Sequence, residues 1–483
     1  MNRYKNLLYK RGFLFTDIKN PFFVDLDSQA VFNSWCRINI DEYTLFYDSS
    51  LLIGIAKKED MTIVVLGLVL NPFDGVIDSH LIAKKLLDYK SESEIKFLEY
   101  QNQLSGRFII IYKKGKIVEI SNDACGTRSV FYDKYNSNSL VSSHCTLIAN
   151  LVDYDISAEA IYFFNNRNYE KAVMKKLPGL ISPYEGVYIL TPNTKLVLPE
   201  RKIKRFFPYK DNPKCENYDA LEKEVANLMV AQLNLLYNKT KISMSLTAGI
   251  DSRLSLAASK DISNEIEYFT FLTKNEIHIE DERIAKKLCE DFNLSHYTYK
   301  WDNSYSDGLK EFNYIWEKNL GIRRGIMWLN KIYADYFPQD RVHIRSNIAE
   351  IVKADSDLYE YDILSAKQLA YLYSTTPMNK DYKVIKKFQE FIDITDFSER
   401  RLFNYDYRDI FEWEYKMCQW HSWLLLESDM SHDTFLIYNN REILSKMLSL
   451  PYLDRLNKKI FIGIIKRLWK ELLVYPVNKK YIL

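Results

Sequence analysis

The sequence predicts an α/β protein in two parts: a β-rich sandwich over residues 1–208, then an α/β part with a parallel sheet and many helices over 209–483. Three observations predict it. The first two hundred residues hold short apolar runs bounded by turn signals, the pattern of paired antiparallel strands. From Lys241 to about Lys300, strand, loop and helix patterns alternate, the rhythm of a parallel sheet with crossover helices. From Asn303 onward, aromatic-rich runs repeat apolar residues at helical spacing.

The elements follow in order. Residues 61–70 (MTIVVLGLVL) form the most apolar stretch, rich in β-branched residues and too short for the roughly 20 residues of a membrane span, so it reads as a buried strand. Residues 79–87 carry a helical pattern. Residues 107–112 (RFIIIY) and 116–120 (KIVEI) flank Lys113-Lys114-Gly115, a hairpin signal, and residues 130–132 and 140–143 make a second hairpin. Residues 186–190 and 195–198 bracket another turn at Thr191-Pro192-Asn193. The character changes near Arg205-Phe206-Phe207-Pro208; the polar run 209–218 reads as a linker, and residues 220–236 as a helix.

Composition bounds the function. The 483 residues are 47% hydrophobic and 27% charged, which excludes bulk disorder. Lys+Arg is 66 against Asp+Glu 64, a net charge of +2 that gives no electrostatic case for nucleic acid. No apolar run long enough for a signal peptide follows the first residues. The six cysteines are scattered without metal-ligand spacing, so buried thiols in a reducing, cytoplasmic setting are expected.

Chemistry concentrates at one segment. Residues 242–246 (ISMSL) read as a strand and 254–258 begin a helical run; between them lies Thr247-Ala248-Gly249-Ile250-Asp251-Ser252-Arg253. A helix N-terminus presents unpaired N–H groups to anions, and small residues let backbone amides close on phosphate oxygens. The hydroxyls of Thr247 and Ser252 add donors, and Asp251 beside a phosphate implies an intervening Mg²⁺. An ordinary βα turn with Asp251 or Ser252 as helix cap fits the same residues. Neither a G-x-x-x-x-G-K-[ST] nor a G-x-G-x-x-G motif occurs.

The run Leu246-Thr247-Ala248-Gly249-Ile250-Asp251-Ser252 resembles the L-S-G-G-x-D-S pyrophosphate loop of the asparagine synthetase family. Further resemblances follow in the family's order: Phe269-Thr270-Phe271 and Asp281-Glu282-Arg283 for its second strand and helix, Ser346-Asn347-Ile348-Ala349-Glu350 for its Gly-rich acidic segment, and Tyr438-Asn439-Asn440-Arg441 with Leu450-Pro451 for its later landmarks. In the first half, Gly106-Arg107-Phe108, Asp123-Ala124-Cys125-Gly126-Thr127-Arg128 and Phe131-Tyr132 resemble the glutaminase part. The resemblance implies an N-terminal-nucleophile-hydrolase-like first domain and a PP-loop synthetase second domain. It implies that ATP and Mg²⁺ serve to adenylate a carboxylate, with an amine or ammonia then displacing AMP. It places pyrophosphate on Leu246, Thr247, Ala248, Gly249, Asp251, Ser252 and Arg253, and metal on Asp251 and Glu350. A C-terminal lysine, Lys479 or Lys480, would steady pyrophosphate and the tetrahedral intermediate.

The departures shape the expectation. Position 2 is Asn2, where such a glutaminase needs an exposed N-terminal Cys, and the first cysteine is Cys36, so no glutamine hydrolysis is expected. Ala248 replaces a glycine, Arg253 follows Ser252, and Ile351 stands where asparagine synthetases have a second acid. Glu412 and Glu414 are two apart on one helical pattern, so only one can face a site, and His421 nearby reads as a core histidine. The expected function is an ATP-dependent amide ligase acting on a small-molecule, sugar or peptide carboxylate. Relatives lacking the nucleophile form β-lactams, cyclise lasso peptides or modify surface polysaccharides, the last favoured by the D-S-R form of the loop. A biosynthetic partner protein is an expected associate. A catalytically inactive scaffold subunit is the alternative; an RNA-thiolating enzyme is disfavoured by the cysteines and charge.

Overall fold

A computed structural model describes residues 3–172, 175–301, 307–322, 327–354 and 363–478. Twelve described strands precede residue 209: β1 Phe13–Thr16, β2 Cys36–Ile40, β3 Tyr43–Tyr47, β4 Ile53–Lys58, β5 Met61–Leu70, β6 Ser105–Lys114, β7 Ile117–Asn122, β8 Phe131–Asp133, β9 Leu140–Ser142, β10 Val187–Ile189, β11 Thr194–Leu198 and β12 Lys202–Arg205. They form two six-stranded sheets, ordered β10-β8-β9-β1-β3-β2 and β12-β11-β7-β6-β5-β4. Strand β5 is buried at nine of its ten positions because it lies inside the second sheet, paired with β4 and β6. The hairpins expected at Lys113-Lys114-Gly115 and between residues 132 and 140 are present as β6–β7 and β8–β9.

The segment at Thr191-Pro192-Asn193 behaves differently from a hairpin turn. It carries the chain from β10, which pairs β8 in the first sheet, to β11, which pairs β7 and β12 in the second. Thr191 and Asn193 are buried there, where a hairpin tip would be exposed.

The later residues build a five-stranded sheet from β13 Lys241–Ser245, β14 Glu267–Leu272, β15 His296–Lys300, β16 Arg341–Arg345 and β17 Asp433–Leu436. All its pairings are parallel and its order is β15-β14-β13-β16-β17. The winding runs outward from β13 in both directions, so the order reverses between β13 and β16. In open α/β sheets the crevice outside the carboxyl ends at such a reversal is where ligands bind.

One hydrophobic core runs through both parts, from Phe13 and Leu45 to Phe461 and Val477. Charged groups lock the parts together inside it. Asp429 takes both Nη atoms of Arg107 (2.7 and 2.9 Å) and Nη1 of Arg128 (3.1 Å), all three residues being fully buried. Asp123 accepts four hydrogen bonds from its own turn, at the Cys125, Thr127 and Arg128 amides and the Thr127 hydroxyl, and a fifth from Asn439. Gly126 sits in that turn at φ +63°, a conformation that favours glycine. Arg441 donates to Asn193 and to the Asp123 carbonyl. No described helix is long and apolar enough to cross a membrane.

Candidate active site

Both motif segments emerge at the reversal. Residues 246–249 follow β13, and residues 346–350 follow β16. A 2.7 Å hydrogen bond between the Ser255 and Ser346 hydroxyls ties the two sides.

The loop is internally braced. The Thr247 amide donates to Ser252 Oγ (3.2 Å), the Thr247 and Ser252 hydroxyls meet at 3.0 Å, and the Gly249 amide donates to Thr247 Oγ1 (3.2 Å). The Ala248 amide donates to Asp281 Oδ1 (2.9 Å), a partner that the linear motif does not reveal. Leu246 contributes only backbone, its amide on the Phe269 carbonyl and its own carbonyl on the Thr270 hydroxyl. Gly249 is the cap of helix Ile250–Ala258 with φ −72°, and Ala248 also avoids the left-handed region, so its alanine introduces no strain. A Cβ on Gly249 would meet only Thr247 Oγ1 at 3.3 Å and Asn478 Oδ1 at 4.0 Å.

No side chain caps this helix, so its first amides face the crevice without intrahelical partners. Asp251 occupies the second helical position. Its Oδ2 pairs with Lys353, while its Oδ1 is buried without a hydrogen-bond partner among the described residues. Burial holds the Asp251 carboxyl above its ordinary range, and Lys353 opposes the shift. Glu350 lies near enough for its charge to raise Asp251 further, and it pairs with Lys416 Nζ at 3.2 Å. Among the described residues no cluster of three metal-ligating side chains forms. One orphaned carboxylate oxygen with a second acid nearby still suits Mg²⁺, which takes one or two carboxylates and completes its shell with phosphate and water.

Arg253 takes no part in the anion cradle. Its side chain is buried and donates to the carbonyls of Leu472 (3.3 Å), Tyr475 (2.8 Å) and Pro476 (3.0 Å). It is thus the clamp that brings the C-terminal segment to the loop, where the Asn478 amide meets the Ala248 carbonyl at 3.3 Å. Lys479 and Lys480 lie outside the described residues.

Of the two acids on the 412–421 segment, Glu414 is buried against Arg205, and Glu412 pairs with Lys416 at 2.5 Å beside Glu350. The segment is a π-helix, Glu412–His421, and His421 is buried. Cys125, Cys145, Cys289 and Cys418 are buried thiols as expected, but Cys36 is exposed on edge strand β2 and Cys215 is half-buried. The residues at the site that sequence reasoning missed are Lys353 and Lys416, together with the role of Asp281 as partner of the Ala248 amide. Lys353 ends the segment after β16, Lys416 comes from the distant segment Glu412–His421, and Asp281 is carried by the helix after β14.

No protein-family model matches the sequence, and no curated protein does at the level searched. Among solved structures the chain is similar to an NMN synthetase from Francisella tularensis, at 12% identity and TM-score 0.20 over 41% of this chain and 78% of that one. It is similar to an NH3-dependent NAD synthetase from Campylobacter jejuni, at 13% and 0.22 over 38% and 96%. It is also similar to a glutamine phosphoribosylpyrophosphate amidotransferase from B. subtilis, at 9% and 0.24 over 61% and 60%. At such values the functional reading rests on the site's own geometry.

Proposed function

We propose that the protein is an ATP-dependent carbon–nitrogen ligase. It adenylates a substrate carboxylate with release of pyrophosphate and passes the acyl group to an amine or ammonia, with release of AMP. The observation that carries the reading is Asp251. It stands in the first turn of an uncapped helix at the sheet's reversal point, with a buried, unpartnered Oδ1 and with Glu350 close by. In this reading Asp251 and Glu350 would hold Mg²⁺, whose positive charge would serve the departing pyrophosphate. The amides at the start of the helix after Gly249 cradle the phosphates, where the helix dipole favours negative charge. Thr247 and Ser252 keep the cradle in shape through their paired hydroxyls. Lys479 or Lys480, just beyond the anchored Asn478, steadies pyrophosphate. Substrates in surface-polysaccharide or peptide natural-product biosynthesis fit this chemistry.

The first half serves without glutamine hydrolysis in this reading. Burial pushes the Cys125 and Cys145 thiols up, away from the thiolate form that a nucleophile requires, and Cys36, exposed on β2, has no α-amine of its own to serve as base.

One observation favours a second reading, an inactive scaffold. Lys353 occupies Asp251, and Asp281 occupies the Ala248 amide, so the chain's own charges satisfy part of the cradle. Calorimetry with Mg²⁺-ATP on the wild type and Asp251→Ala separates the two. The ligase reading expects binding that weakens at least 100-fold in the variant; at 100 times its Kd, ATP would stabilise the wild type by about 2.7 kcal/mol. No binding to the wild type at millimolar ATP would leave the scaffold.

A further inference from the structure

Lys176 comes from the first half of the chain, yet its amine lies with side chains of the second. It is only 6% exposed. Its Nζ sits 5.7 Å from the Tyr373 ring centre and 5.6 Å from that of Tyr415, and the charges of Glu412, Lys416 and Glu350 all act on it. Glu350 and Lys416 are the pair at the carboxyl end of β16, so Lys176 extends a row of alternating charge that starts at the crevice: Glu350, Lys416, Glu412, Lys176. The first three are joined by ion pairs. Among the described residues the Lys176 amine makes no hydrogen bond or ion pair, and its contacts are with the rings of Tyr373 and Tyr415.

The backbone around Lys176 is held without that amine. The Tyr373 hydroxyl donates to the Lys176 carbonyl (2.8 Å), the Tyr415 hydroxyl to the Leu177 carbonyl (2.7 Å), and Gln419 Nε2 to the carbonyls of Gly179 and Ile181 (3.0 Å each). Tyr415, Lys416 and Gln419 all stand on the π-helix Glu412–His421, a geometry found often at functional sites. A methionine would fill the same slot against the two rings. The two ring faces attract the ammonium, but a largely buried charge with no anion in contact is still costly, so packing alone does not account for it. Burial also brings the amine down to about 8, the direction expected of a cation that lacks its counter-ion.

We infer that Lys176 binds a substrate carboxylate, so that the first half of the chain completes the substrate site of the second. The assignment of that anion to a substrate rests on the ligase reading; the binding of an anion at Lys176 does not.

The test is a thermal-shift and calorimetric titration of the full chain with succinate, at constant ionic strength, alongside Mg²⁺-ATP. Wild type, Lys176→Met and Lys176→Gln are compared, the second variant covering a failure of the first to fold. The expected result is a succinate-dependent rise in Tm for the wild type and a tenfold or greater loss of succinate affinity in both variants, with Mg²⁺-ATP binding changed less than twofold. Equal succinate binding in wild type and variants, or none to the wild type at 50 mM (about five times a 10 mM Kd, enough to detect), overturns the inference. Succinate binding that depends on Lys176 in a protein that binds no Mg²⁺-ATP would keep the anion site and remove the ligase reading.

Discussion

The interface between the two parts and the crevice at the sheet reversal use the same residue types for opposite ends. In the interface, Asp429 is fully buried and its two arginines use it completely, while Asp123 has every nearby donor turned inward. In the crevice, the Asp251 and Lys353 side chains keep 23% and 21% exposure, and one carboxylate oxygen is left open. Residues that satisfy one another hold a structure; residues left incomplete await a ligand. Motif residues fall on both sides of this line. The Asp123–Arg128 turn and Asn439-Asn440-Arg441 belong to the lock, and Asp251 and Glu350 to the crevice.

The largest effect should come from breaking the lock. Asp429→Ala leaves the Arg107 and Arg128 guanidinium groups buried without their counter-ion, a loss expected to cost about 3–5 kcal/mol. Urea denaturation should show it as a lowered midpoint or loss of cooperative folding. Lys353→Ala makes the analogous cut at a partly exposed pair and should cost about 1 kcal/mol or less. Similar losses for both would erase the distinction between lock and crevice.

The next effect has the opposite sign. Burial pushes the Lys176 amine down from its ordinary 10.5 to about 8 in the folded chain, so between these values the unfolded chain binds more protons. Stability therefore rises with pH across that window, and the cost of the desolvated ammonium is fully present below about pH 8. Two and a half units correspond to about 3 kcal/mol. Lys176→Met should be the more stable protein at pH 7, with the difference from wild type shrinking as pH rises towards 10.5. Denaturation profiles of the two proteins from pH 7 to 10.5 measure it; the tyrosines that also titrate there are common to both. A destabilised variant would place Lys176 with the lock.

How much of this was legible in the sequence follows from the range of the forces involved. The β6–β7 hairpin, the buried β5 and the strand–loop–helix at residues 241–258 depend on neighbours in the chain, and alternation and turn residues expose them. The turn expected at Thr191-Pro192-Asn193 is present, but a turn signal does not say which sheet the next strand joins. Arg253 shows a local rule left unused. It is two residues from Asp251 on one helix and so faces the other way, towards the C-terminal carbonyls. The Lys176 row and the Asp429 lock bring together residues more than 170 positions apart, and nothing in a linear pattern marks such partners.

The smallest effect concerns the loop itself. Its resemblance to a glycine-glycine pyrophosphate loop makes Ala248 look like damage, whereas the structure makes it neutral. The residue is buried, its φ lies outside the left-handed region, and its amide and carbonyl are engaged by Asp281 and Asn478. Restoring glycine relieves no strain and adds freedom only to the unfolded chain, so Ala248→Gly should lower stability by about 0.4–1 kcal/mol. Mg²⁺-ATP affinity should change less than threefold, because the phosphate-facing amides belong to the helix start. A tenfold gain in affinity would mean that the Ala248 methyl group obstructs the cradle, and would move this position from the braced part of the loop to the open one.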